Sequence, residues 1–193
     1  MTMSLSDAQG DMRQGYYSGA AGILASSLVW SIAAGVAVFS AAETAIWVLL
    51  LGGMVIHPGA VLICKVLGVR GSHTTGNPLG QLAGASTVWL IFCLPLAYGL
   101  SLQQTGWFFG AMLVVIGGRY MVFATLYGMR LYWVLGGLLA LTACALVFLA
   151  VAVPIIVVAG AVLEAVFASI CFVQHRQWAG STQSTAPAQR RTA

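Results

Sequence analysis

Acidic side chains are almost missing from this sequence: four in 193 residues, beside eight Lys and Arg, so that charged residues make up 6% of the chain. A water-facing surface normally carries about 25% charged residues. That shortage excludes a soluble enzyme. A hydrophobic fraction of 60% excludes a disordered regulator, and so few scattered basic residues exclude a dense nucleic-acid-binding patch. Cysteine is scarce too. Cys64, Cys93, Cys144 and Cys171 form no C-x-x-C pair, which argues against a zinc site or a disulfide framework and for small buried thiols. No Asp follows Asp11 and His is rare, so neither a di-acid metal site nor a catalytic triad can be assembled. The signatures G-x-x-x-x-G-K-[ST], H-E-x-x-H and G-x-S-x-G are absent. No enzyme activity, metal or cofactor is expected.

What abounds is apolar sequence. About 20 apolar residues span a bilayer core, and stretches of that length lie at Tyr17–Phe39, Thr44–Val66, Leu82–Leu102, Gly106–Tyr127, Leu131–Ala152 and Pro154–Val173. Runs such as Trp47-Val48-Leu49-Leu50-Leu51 are apolar on every face, unlike the alternation of a transmembrane barrel. Only Val153-Pro154 divides the last two spans. Pro fits the first turn of a new helix, so two tight antiparallel spans are expected there. The predicted fold is an all-α, polytopic bundle of six transmembrane helices in a lipid bilayer.

Basic residues orient it. Arg13, Lys65, Arg70, Arg130, Arg176, Arg190 and Arg191 fall on alternate ends of the spans, whereas Ser40–Glu43, Gln103–Thr105 and Val153 carry no Lys or Arg. Basic residues stay in the cytoplasm, which predicts an N-in/C-in topology. Tyr16, Tyr17, Tyr127, Tyr132 and Trp133 would anchor the inner interface, and Trp47, Trp107, Phe108 and Phe109 the outer one. Residues 1–16 read as a polar cytoplasmic leader without signal-peptide form. Residues 17–174 form the transmembrane domain, and 175–193 read as a disordered cytoplasmic tail. Six spans permit a 3+3 inverted repeat, although the two halves do not align in sequence.

Ionisable groups in hydrocarbon are costly and mark sites. His57, Arg119 and Glu164 lie on three spans that run in the same direction, at depths of roughly 15–20 Å from the outer ends at a rise of 1.5 Å per residue. One layer could therefore hold a solute or proton site. Glu164 would be the acidic partner, Arg119 its counter-ion or an anion ligand, His57 a group that titrates near neutral pH, and Tyr120 a hydrogen-bonding neighbour. Pro58 frees carbonyls near Met54 and Val55 and breaks the helix beside His57, as in transporter helices that line cavities. A structural reading stands beside this one. Arg119 can snorkel, an Arg119–Glu164 pair can join two helices, and His57 can bond a carbonyl freed by Pro58.

Small residues suggest close packing. Ser18, Gly22 and Ser26 recur on the first span, and Gly80 and Gly84 open the third; such stripes serve either intramolecular packing or a homodimer. Trp30 and Trp89 are expected in the core. Asn77-Pro78 reads as a helix start, with Asn77 as the cap.

Two segments carry a resemblance. They are Gly53-Met54-Val55-Ile56-His57-Pro58 with Lys65–Val69 and Asn77-Pro78-Leu79, and Gly117-Gly118-Arg119-Tyr120 with Tyr127 and Arg130-Leu131-Tyr132. From about Asp11 to the end of the sixth span the chain resembles a family of small bacterial integral membrane proteins catalogued as a domain of unknown function. The resemblance implies a multi-pass protein of the bacterial inner membrane and no mechanism. The leading functional expectation is a small-solute or proton-linked transporter. The alternative is a non-transporting structural or accessory subunit whose Ser18/Gly22/Ser26 face packs against partner helices.

Overall fold

Among the described residues, 3–184, the computed structural model of the protein has seven α-helices and no strand. They are α1 (Leu5–Tyr16), α2 (Ala20–Phe39), α3 (Ala42–Val66), α4 (Leu79–Ser101), α5 (Thr105–Tyr127), α6 (Leu131–Phe148) and α7 (Val153–Ser184). The last six supply the spans that are long and apolar enough to cross a membrane. Local signals set their ends. Ser4 caps α1 by accepting from the Asp7 N–H at 3.2 Å, and Asn77 Oδ1 accepts the Leu79 N–H at 3.0 Å where α4 begins. Gly68 and Gly128 take positive φ just past α3 and α5, where a left-handed residue turns the chain out of the helix.

Three boundaries differ from expectation. The leader is not merely polar: it forms α1, which buries Ala8, Met12 and Gly15 against the bundle. The break between the fifth and sixth spans comes earlier than Val153-Pro154. There α6 ends at Phe148, Ala150 takes a φ of 50°, and the Val151 and Ala150 N–H groups bond back to Leu146 and Val147. That is a glycine-type helix stop made with alanine. The tail expected to be disordered from residue 175 is helical to Ser184, because His175 packs into the bundle; residues 185–193 lie outside the described set.

All the basic loops meet at one end of the bundle, called here the basic end. Asp11 of α1 accepts from Arg70 Nη2 at 2.6 Å, from the Thr74 N–H at 2.8 Å and from Asn77 Nδ2 at 2.8 Å. Arg13 donates to the Gly128 carbonyl at 2.8 Å, and Gln9 to that of Thr125 at 2.8 Å. So α1 lies across the end, tied to both the α3–α4 and α5–α6 connections.

Within the spans, α2 packs on α3 and α7, and α5 packs on α6 and α4, while α3 and α4 hardly touch each other. The first helix of each three therefore meets its own second helix and the third helix of the other half. A 3+3 inverted arrangement has this reciprocal pattern. Trp30, Phe108, Phe109, Leu113, Leu135, Leu139, Ile156 and Val157 fill the centre. Phe108 and Phe109, expected at the interface, are fully buried, as is Tyr132. Trp89 is exposed and not in the core, and Cys144 also faces outward while the other three thiols are buried.

Helices α5 and α6 cross backbone to backbone at a pair of glycines. A Cβ at Gly117 would meet the Gly136 carbonyl oxygen at 2.7 Å, and one at Gly136 would collide with the backbone of Gly117. Only glycine lets these backbones touch. A Cβ at the adjacent Gly118 meets nothing within 4 Å. Gly117→Leu should therefore lower stability by about 1–3 kcal/mol or prevent folding, as overpacking does, whereas Gly118→Leu should leave the melting temperature in detergent within a degree or two of wild type.

Candidate functional site

The three ionisable residues share a depth and not a cavity. His57 is exposed on α3, a helix whose buried residues are only Ala45, Ile46, Leu49 and Cys64. Contrary to expectation, Pro58 does not break the helix: α3 runs through it unbroken from Ala42 to Val66, and its ring lies on the exposed face, where a proline is tolerated in a spanning helix. Arg119 lies between α4 and α5. Its Nη2 donates to Thr87 Oγ1 at 2.9 Å, and its Cζ stands 5.2 Å from the Phe123 ring centroid. Glu164 of α7 is 0% exposed. Among the described residues the one ion pair is Arg70–Asp11, so the expected Arg119–Glu164 bridge does not form. Consecutive helix positions point about 100° apart, and this turns Tyr120 toward Glu164 and Arg119 away from it.

Glu164 and Tyr120 make the centre of a buried polar cluster. Tyr120 Oη donates to Glu164 Oε1 at 2.8 Å, and Ser26 of α2, also buried, lies close enough to act on both groups. Glu164 Oε2 has no partner of good hydrogen-bonding geometry, and neither has Nε1 of the fully buried Trp30. The two unfilled atoms are neighbours by position. Trp30 lies one turn beyond Ser26 on α2. Gly160 lies one turn before Glu164 on α7, and a Cβ there would come within 3.1 Å of the Trp30 ring.

From this cluster a line of polar groups descends to the basic end. Tyr120 stacks on Tyr132 with ring centroids 6.0 Å apart. Tyr132 Oη donates to the Ser18 carbonyl at 2.7 Å and lies 3.8 Å from Cys171 Sγ. The Ser18 hydroxyl is 2.8 Å from His175 Nδ1, and the His175 ring lies against Tyr17 with centroids 3.9 Å apart. Glu164, Cys171 and His175 fall at i, i+7 and i+11, which is one face of α7. That spacing is visible in the sequence; the assignment of residue 175 to a tail concealed it. Trp30 and Ser18 carried no such signal.

The small-residue stripe is explained within the protomer. Ser18 and Ser26 are buried with Ala21 and Ala25, and Gly22 is half-buried, so this face is covered by the chain's own helices. Among the described residues no group of His, Cys, Asp and Glu is placed to hold a metal ion.

Whether the Glu164–Tyr120 pair exists for stability can be tested directly. Tyr120→Phe removes the donor to Glu164 Oε1 and should cost about 1–3 kcal/mol. Replacing both polar partners with apolar ones is often neutral or stabilising. The double variant Tyr120→Phe/Glu164→Leu should therefore melt at or above the wild-type temperature in detergent. A double variant as unstable as the single one would identify the pair as structural glue.

No curated protein and no solved structure matches this chain. A family profile matches residues 5–174, from the start of α1 to the third turn from the end of α7. The chain belongs to the family of unknown function DUF7010.

Proposed function

We propose that this protein is a proton-linked transporter of a small polar solute, with Glu164 as the group that takes up and releases the proton. The observation that carries the reading is the carboxyl itself. It is fully enclosed among membrane-spanning helices and is held by the Tyr120 phenol beside the Ser26 hydroxyl, with no cation among the described residues paired to it. Such a group is costly in hydrocarbon and is kept where ions or protons pass. The reciprocal packing of α2–α4 and α5–α7 supports the same reading, since inverted halves place sites where the two meet. Ser26 comes from the first half, and Tyr120 and Glu164 from the second. In this reading Glu164 exchanges its proton within the Tyr120–Ser26 cluster, and the group of Ser18, Tyr132, Cys171 and His175 fills the bundle between that cluster and the basic end. His57 and Arg119 belong to other surfaces. The basic end faces the cytoplasm of a bacterial cell, and the chain performs no covalent chemistry.

The second reading, an accessory subunit docked to another membrane protein, is favoured by α3. Its long face is largely exposed, and so is the His57 that it carries. One experiment separates the two. Proteoliposomes on a solid-supported membrane are given a pH jump, alone and with a panel of small solutes. Wild type should give a charge movement that Glu164→Gln lowers at least about tenfold, the factor that one lost charge-assisted hydrogen bond commonly produces. Wild-type protein electrically silent under every condition would overturn transport. Reporter fusions after Gln177 and within Gln103–Thr105 should report a cytoplasmic and a non-cytoplasmic location respectively.

A further inference from the structure

Among the described residues Arg119 is the one cation placed well inside the spans. Eight residues separate it from Tyr127 at the end of α5, a depth of roughly 12 Å from the basic end. The chain has four acidic side chains, and none of them neutralises it. Asp7 bonds with Ser4, Asp11 pairs with Arg70, Glu43 starts α3 at the opposite end, and Glu164 accepts from Tyr120. Thr87 and the Phe123 face are uncharged partners, and the buried Nε has no partner at all. A guanidinium in that position is incomplete without an anion.

A place for one lies beside it. A cleft of about 320 Å³ opens between α4 and α5, lined by Leu82, Ser86, Trp89, Gly118, Arg119 and Val122. Its walls begin at Leu82, roughly 5 Å below the start of α4, and they are otherwise apolar. The cleft is open at its side, toward the layer that lipid chains occupy. Its floor at Gly118 has space that any side chain would fill.

We propose that this cleft binds an acidic lipid of the leaflet at the basic end. The headgroup phosphate enters past Leu82 and Val122 to meet the Arg119 guanidinium, and an acyl chain continues deeper along Trp89. Arginine suits this task because its fork can hold Thr87 with one arm and a phosphate oxygen with another. The inference is independent of the proton site, since α5 turns Tyr120 and Arg119 to different surroundings.

The test uses the full-length protein in neutral detergent, with melting temperature as the readout. Phosphatidylglycerol should raise it. Phosphatidylcholine of the same acyl chains, and inorganic phosphate alone, should not. In Arg119→Gln and Gly118→Leu the phosphatidylglycerol concentration needed for half the effect should rise about tenfold or more, as loss of a charge-assisted hydrogen bond predicts. Gly118→Leu keeps every charge and fills only open space, so it decides the matter if the Arg119 variant does not fold. Wild-type lipid response retained in Gly118→Leu overturns the proposal. Equal stabilisation by inorganic phosphate also overturns it, in favour of a free-anion site.

Discussion

The peptide of Ser18 holds the basic end of this molecule together. Its carbonyl accepts from Tyr132 of α6 at 2.7 Å and from the Cys171 thiol of α7 at 3.4 Å, and its hydroxyl bonds His175 of α7. Tyr17, Ser18 and Gly19 all have positive φ, a strained run for residues with a Cβ. Such strain persists only where the surroundings over-determine it. Here a Cβ at Gly19 would collide with the Tyr132 hydroxyl and the Tyr127 ring. The sharp turn swings α1 across the end of the bundle while α2 enters it. It also sets the rotation of α2, and that rotation brings Ser26 and Trp30 to face α7.

Everything at the basic end follows from that placement. Asp11 can gather the α3–α4 connection only because α1 lies over it, and Arg13 can reach the α5–α6 turn for the same reason. The Trp178 ring on the last turns of α7 then meets the Arg13 guanidinium at 5.5 Å. A segment that looks like leader and a segment that looks like tail thus cover each other. Each is ordered by contacts distant in sequence, with Ser18 and His175 the first link between them.

The sequence discloses depth far better than direction. Counting residues from the turns places His57, Arg119 and Glu164 in one layer, and the six spans follow from apolar length alone. Which way each side chain points is another matter. A helix that is apolar on all faces has no polar stripe to orient it, so nothing local says that α3 turns His57 outward while α7 turns Glu164 inward. Ala150 illustrates a different limit. The helix stop there uses the left-handed conformation without the glycine that normally announces it, and Val153-Pro154 attracts attention instead. Asn77 is the opposite case: its cap was legible because the side chain acts on its own neighbours in the chain.

The separation of Arg119 from Glu164 argues about purpose. Two opposite charges at similar depth are stabilised most simply by each other, and joining them would need only a different face of α5. The chain instead gives Glu164 a tyrosine inside the sealed core and leaves Arg119 at a cleft open to the side. Among the described residues each group is then left without an opposite charge. Packing alone has no use for either, because an apolar residue of similar size would fill the same space without the cost of desolvation. Glu164 and Arg119, each held by an uncharged partner and kept apart in a bundle with so few charges, therefore place their costs in two different surroundings, the sealed core and the α4–α5 cleft.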